Sequence, residues 1–124
     1  MTLPSMTPEQ FTQALSHPPE SFSVMVKDAQ IQYRRWPKPD APGLLLVHGH
    51  AAHARWWDHI GPALHHRFDV SAIDLSGAGD SAHRTTYSSH LFSEEMMAVT
   101  NHAGYASPIV VAHSFGGTLA RVAC

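Results

Sequence analysis

A chain of 124 residues that is 44% hydrophobic and 15% charged has the composition of a globular domain, neither disordered nor membrane-spanning. Its 8 Lys and Arg against 10 Asp and Glu leave a formal charge of -2 and no basic stripe to track a nucleic-acid backbone. A single cysteine, Cys124, excludes an internal disulfide and fits a reducing compartment.

Residues 1–21 read as an N-terminal arm, with Phe11, Ala14 and Leu15 at helical spacing, ahead of a domain over residues 22–124. No basic region precedes a hydrophobic stretch and no apolar run is long enough for a bilayer, so the reading predicts a cytoplasmic protein without membrane partners. Phe22–Val26 and Ile31–Trp36 alternate in period two around Lys27-Asp28-Ala29, the pattern of an antiparallel hairpin. Arg34 and Arg35 read as a solvated strand end. The prolines at 37, 39 and 42 then make a stiff connector that cannot sustain a ladder.

Gly43–Val47 is a continuous apolar run, a buried strand that ends in His48-Gly49-His50. From Arg55 to Leu64 the apolar spacing predicts a helix. Phe68–Ile73 predicts the next strand, which runs into Asp74 and the loop Gly77-Ala78-Gly79-Asp80-Ser81. Phe92, Met96, Val99 and Ala103 fall at helical spacing, with Glu94 and Glu95 near the start where the helix dipole favours them. Residues 108–112 form another apolar, β-branched run, a strand buried on both faces. Strand and helix alternate, which demands a largely parallel sheet covered on both sides.

The last of these strands meets Ala112-His113-Ser114-Phe115-Gly116-Gly117, where small residues permit a tight reversal before a helix that begins over Leu119–Ala123. The segment looks like a nucleophile elbow, with Ala112 where the GxSxG pattern has glycine. His48-Gly49, Asp74 with the Gly77-x-Gly79-x-Ser81 loop, and the elbow occur in the order and spacing that resemble the α/β-hydrolase superfamily, over about residues 22–124. The resemblance implies an α/β fold with a mostly parallel sheet and helices on both faces. It also implies that Ser114 is the nucleophile of a serine hydrolase that forms an acyl-enzyme on a small ester, lactone, thioester or related substrate, without a cofactor. By position, the main-chain N–H groups of Phe115 and His50 would stabilise the oxyanion. Ala112, His113 and Gly116 would shape the elbow.

In this family the nucleophile is followed by an acid and then a histidine, yet the ten residues after Ser114 contain no Asp, Glu or His. All 11 histidines precede Ser114, and neither Asp74 nor Asp80 matches the family's acid position. The chain also ends inside an apolar helix pattern, at Val122-Ala123-Cys124. The expectation is therefore the N-terminal part of a longer hydrolase, inactive alone, whose strand through Val110 exposes an apolar edge prone to self-association. Two other chemistries compete for the same residues. His48, His50 and His53 have the spacing HxHxxH and resemble the zinc loop of the metallo-β-lactamase family, with Ala52 where that family has aspartate. Gly77-Ala78-Gly79 also resembles a dinucleotide loop, but the strand and helix positions around it match poorly. A non-catalytic member of the hydrolase fold, binding a ligand with its elbow intact, is a further alternative.

Overall fold

The structure, a computed structural model, describes Pro8 and residues 18–48 and 53–112. Five strands, β1 (Glu20–Val26), β2 (Ala29–Trp36), β3 (Gly43–Val47), β4 (Asp69–Ile73) and β5 (Ile109–Ala112), form one sheet in the order β1-β2-β4-β3-β5. β2 is antiparallel to β1 and β4, whereas β3 is parallel to β4 and β5, so β2 alone runs against the others. This is the expected mostly parallel α/β sheet.

The first hairpin turns on two residues rather than three. Lys27 and Asp28 both take positive φ, 45° and 67°, as a type I′ turn requires, and Ala29 already pairs with Val26. Its primed geometry matches the twist of the flanking strands and sets the register of β2 against β1.

The segment after β3 departs from the continuous helix predicted over 55–64. A 3₁₀ turn spans Ala54–Trp57, and a separate short helix, α1 (Gly61–Leu64), follows it. Pro62 explains the break, because a residue without an N–H and with fixed φ suits the first turn of a helix but not its interior. The apolar spacing still serves: Trp57, Ile60 and Leu64 are buried with Trp36, Leu44, Leu46, Val70 and Ala72 against one face of the sheet.

On the other face lies α2 (Ser89–His102), begun by Ser88, whose side chain accepts a hydrogen bond from the Leu91 N–H. Met96, Val99 and Ala103 from this helical stretch pack with Ile31, Tyr33, Leu45, Val47 and Ile73. Alternate residues of β3 therefore supply both cores, Leu44 and Leu46 to one and Leu45 and Val47 to the other, which is why its sequence is an unbroken apolar run. β5 differs from expectation. Ile109 is 43% exposed and the other three residues are half-buried, because β5 pairs only with β3 among the described strands. Among the described residues no helix is long and apolar enough to cross a membrane.

Candidate active site

Register brings the ends of β3, β4 and β5 to one edge. Val47 pairs with Ile73 on one side and with Ala112 on the other, so the last residues of β3, β4 and β5 form a single row across the sheet. His48, Asp74 and His113 are the next residues in sequence. Strand order also reverses around β3, and the crevice beyond the carboxyl ends of parallel strands at such a reversal is where open α/β sheets take their ligands. Of the predicted site residues, Ala112 is placed as the last residue of β5. His50, His113, Ser114, Phe115 and Gly116 lie outside the described residues, as does the helix expected after the elbow.

The described residues of this edge are His48, Asp74 and the glycine-rich loop. His48 is 4% exposed, and its Nε2 accepts the Leu75 N–H at 3.1 Å. A backbone amide can only donate, so Nε2 is the unprotonated nitrogen and the ring is the neutral Nδ1–H tautomer. Asp74, 2% exposed, turns inward rather than into the crevice. Its Oδ1 accepts the Ala54 N–H at 2.6 Å and its Oδ2 the Asp80 N–H at 3.1 Å.

The glycine-rich loop is built around that carboxylate. A Cβ on Gly79 would lie 2.3 Å from Asp74 Oδ1, and φ at Gly79 is +52°, so glycine is needed there for space and for conformation. The Ser81 hydroxyl donates to the Asp74 carbonyl at 2.5 Å and accepts the Gln32 N–H at 2.8 Å, while the Ala82 N–H reaches the Gln30 carbonyl at 2.9 Å. The loop thus continues the β2 ladder past the end of β4. The dinucleotide reading of these glycines has no remaining observation to explain.

A second anchor, not foreseen from residue pattern, holds the far side of the loop. Glu95, 0% exposed, accepts the Ser76 N–H at 2.8 Å and the Arg84 Nε–H at 2.9 Å. The remaining Arg84 donors go to the Val26 carbonyl at 2.7 Å and the Lys27 carbonyl at 2.9 Å. Glu95 is therefore not a dipole partner at the start of its helix, since α2 begins six residues earlier and its first turn carries no acid. It is half of a buried ion pair that ties helix, loop and hairpin together. Arg34 and Arg35 likewise correct the solvated reading: each makes a two-pronged contact, with Asp58 at 2.9 and 2.8 Å and with Asp69 at 2.8 and 2.9 Å.

Among the described residues no three His, Cys, Asp or Glu side chains are placed to hold a metal ion. Of the HxHxxH histidines, His48 commits Nε2 to Leu75 and His53 is exposed, while His50 lies outside the described residues.

A family model described as alpha/beta hydrolase fold matches residues 42–124. A soluble epoxide hydrolase of Corynebacterium sp. (strain C12) is 33% identical over 78 residues, which cover 62% of this chain and 27% of that protein. Among solved structures, a haloalkane dehalogenase loop variant from Bradyrhizobium elkanii aligns with a TM-score of 0.77 at 27% identity, over 84% of this chain and 35% of that one. The thioesterase domain of the curacin biosynthetic pathway aligns with a TM-score of 0.79 at 27% identity, over 86% of this chain and 40% of that one. The chain thus spans between 27% and 40% of the length of these three proteins.

Proposed function

The chain belongs to the α/β-hydrolase fold family, and from that membership we propose that the complete domain is a serine hydrolase acting on an acyl carbon. Ser114 is the nucleophile, and the main-chain N–H groups of His50 and Phe115 hold the oxyanion. The observation that supports the reading is the row formed by Val47, Ile73 and Ala112, the last residues of β3, β4 and β5, at one sheet edge.

The similar proteins include an epoxide hydrolase, a haloalkane dehalogenase and a thioesterase, and the elbow residue discriminates among these chemistries. A serine oxygen that opened an epoxide or displaced a halide would leave an ether on the enzyme, which water does not cleave under mild conditions. On an ester, lactone or thioester carbonyl the same oxygen leaves an ester, which a second attack by water opens to the acid and free enzyme. A serine at position 114 therefore favours acyl transfer to water.

The hydroxyl also needs a base to take its proton and an acid to orient that base. Neither occurs between Phe115 and Cys124; the chain spans 27% to 40% of the length of the three similar proteins, and both groups are proposed to come from the rest of the complete domain. The test is a substrate panel on the complete domain. Turnover of short-chain p-nitrophenyl esters and acyl thioesters, lost in Ser114→Ala, is expected. Turnover of epoxides or haloalkanes that survives Ser114→Ala would refute the proposal.

A further inference from the structure

β1 is the last strand at its end of the sheet, and among the described residues only β2 pairs with it. Which of its main-chain groups face outward follows from β2. The Gln32 carbonyl takes the Asp74 N–H at 2.9 Å, the Gln32 N–H goes to Ser81 Oγ at 2.8 Å, and the Gln30 carbonyl takes the Ala82 N–H at 2.9 Å. Gln30 and Gln32 thus direct their main-chain groups towards β4 and its loop, while Ala29, Ile31, Tyr33 and Arg35 direct theirs towards β1. Their partners Val26, Val24, Phe22 and Glu20 are therefore the residues of β1 that bond to β2, as the two-residue turn also requires of its closing pair, Val26 and Ala29. The N–H and C=O groups of Ser21, Ser23 and Met25 alternate with these and point away from the sheet. Little blunts them. β1 runs for 7 residues without proline, lysine or a bulge, and its only charge is Glu20 at one end. Phe22 and Val24 are half-buried on the face towards α2, and Met25 on the opposite face is 64% exposed.

We infer that β1 is the interface with a second copy of the same chain, the two strands running antiparallel about a twofold axis at Ser23. Pairing Ser23 with Ser23, and Ser21 with Met25, gives every outward N–H and C=O of the strand a partner. A neighbouring symmetric register leaves Ser21 or Met25 without one. The same register sets Phe22 opposite Val24, so that the half-buried residues of each copy cover those of the other. It also brings Glu20 of one copy to Val26 and the exposed Lys27 of the other, whereas parallel strands would place Glu20 against Glu20. Neither the role of Ser114 nor β5, at the other end of the sheet, enters into this pairing.

The test is sedimentation velocity on the complete domain, followed by peptide mapping of oxidised variants. Pairing along one strand buries little area, so a dimer that forms in the micromolar range is expected. Ser23→Pro removes an N–H that β2 does not use, which an outer strand tolerates, and should give a monomer with an unchanged far-UV circular dichroism spectrum. In a Cys124→Ser background, Ser23→Cys should oxidise to a disulfide joining two chains at position 23. The twofold axis sets that residue against its own copy with Cα atoms about 5.5 Å apart, within disulfide range. Ser21→Cys, opposite Met25, should form no such link. The two cysteine variants decide the matter should Ser23→Pro fail to fold. A wild-type domain that stays monomeric through the micromolar range, as when another part of the chain covers β1, overturns the interface. So does a dimer untouched by Ser23→Pro, or one that cross-links at position 21 and not at 23.

Discussion

At the scale of single residues, the stability of this sheet edge depends on buried charges that are fully paired. Removing one partner of a buried ion pair leaves the other charge without compensation, at a cost of about 3–5 kcal/mol. Glu95→Ala should therefore cost about 3 kcal/mol or more in urea unfolding, with Arg84→Ala similar, because Arg84 also holds the Val26 and Lys27 carbonyls. A loss near that of an exposed pair, below about 1 kcal/mol, would contradict the pairing. None of this was legible in the sequence. Arg84 and Glu95 are 11 residues apart, in a loop and in a helix, and only the packed α2 brings them within reach.

Asp69 makes a prediction about pH. Burial pushes its carboxyl up, but hydrogen bonds from Arg35, from the Tyr105 hydroxyl at 2.7 Å and from the Lys38 N–H at 3.1 Å outweigh burial and hold it below the usual carboxylate range. The folded state then binds this proton more weakly than the unfolded chain. The stability it contributes is present above about pH 4 and is lost as pH falls through the folded value. Asp69→Asn should lower stability near neutrality and flatten the acid limb of the stability profile. An acid limb as steep as that of the wild type would contradict the assignment. The adjacent Arg34-Arg35 pair illustrates the limit of local reading, since a period-two pattern assigns each arginine a face but cannot foresee Asp58 and Asp69 waiting there.

Among elements, apolar pattern predicted existence and type better than extent. The strands through Leu45, Ala72 and Val110 and the helix carrying Phe92, Met96, Val99 and Ala103 stand where the periodicity put them. Boundaries moved where a backbone rule overrode side-chain spacing: Pro62 divided one predicted helix, and a turn with positive φ at two residues shortened the predicted three-residue reversal. The start of α2 was set by a cap rather than by an acid. Ser88 accepts the Leu91 N–H at 3.1 Å, so Ser88→Ala should cost about 1 kcal/mol, read as a lowered Tm with an unchanged denaturant slope. No measurable change would place the cap elsewhere.

For the whole molecule, the sheet order β1-β2-β4-β3-β5 brings the ends of three strands distant in sequence side by side. The family was legible in the order of the motifs, and residues 42–124 match the family model. The inward turn of Asp74 was not legible, because a loop aspartate after a strand reads equally well as a crevice residue until the Ala54 and Asp80 amides are seen to converge on it. The half-exposed β5 supports one further proposal: residues 1–124 expressed alone should associate through that edge, giving concentration-dependent species in light scattering. A monomer at all concentrations would contradict it.

Everything proposed about chemistry turns on the oxygen of Ser114. The direct measurement is peptide mapping of the complete domain after reaction with an organophosphonate. A single phosphonyl adduct on Ser114, absent in Ser114→Ala, is the predicted result. An adduct on another residue, or undiminished ester turnover by Ser114→Ala, would contradict the account.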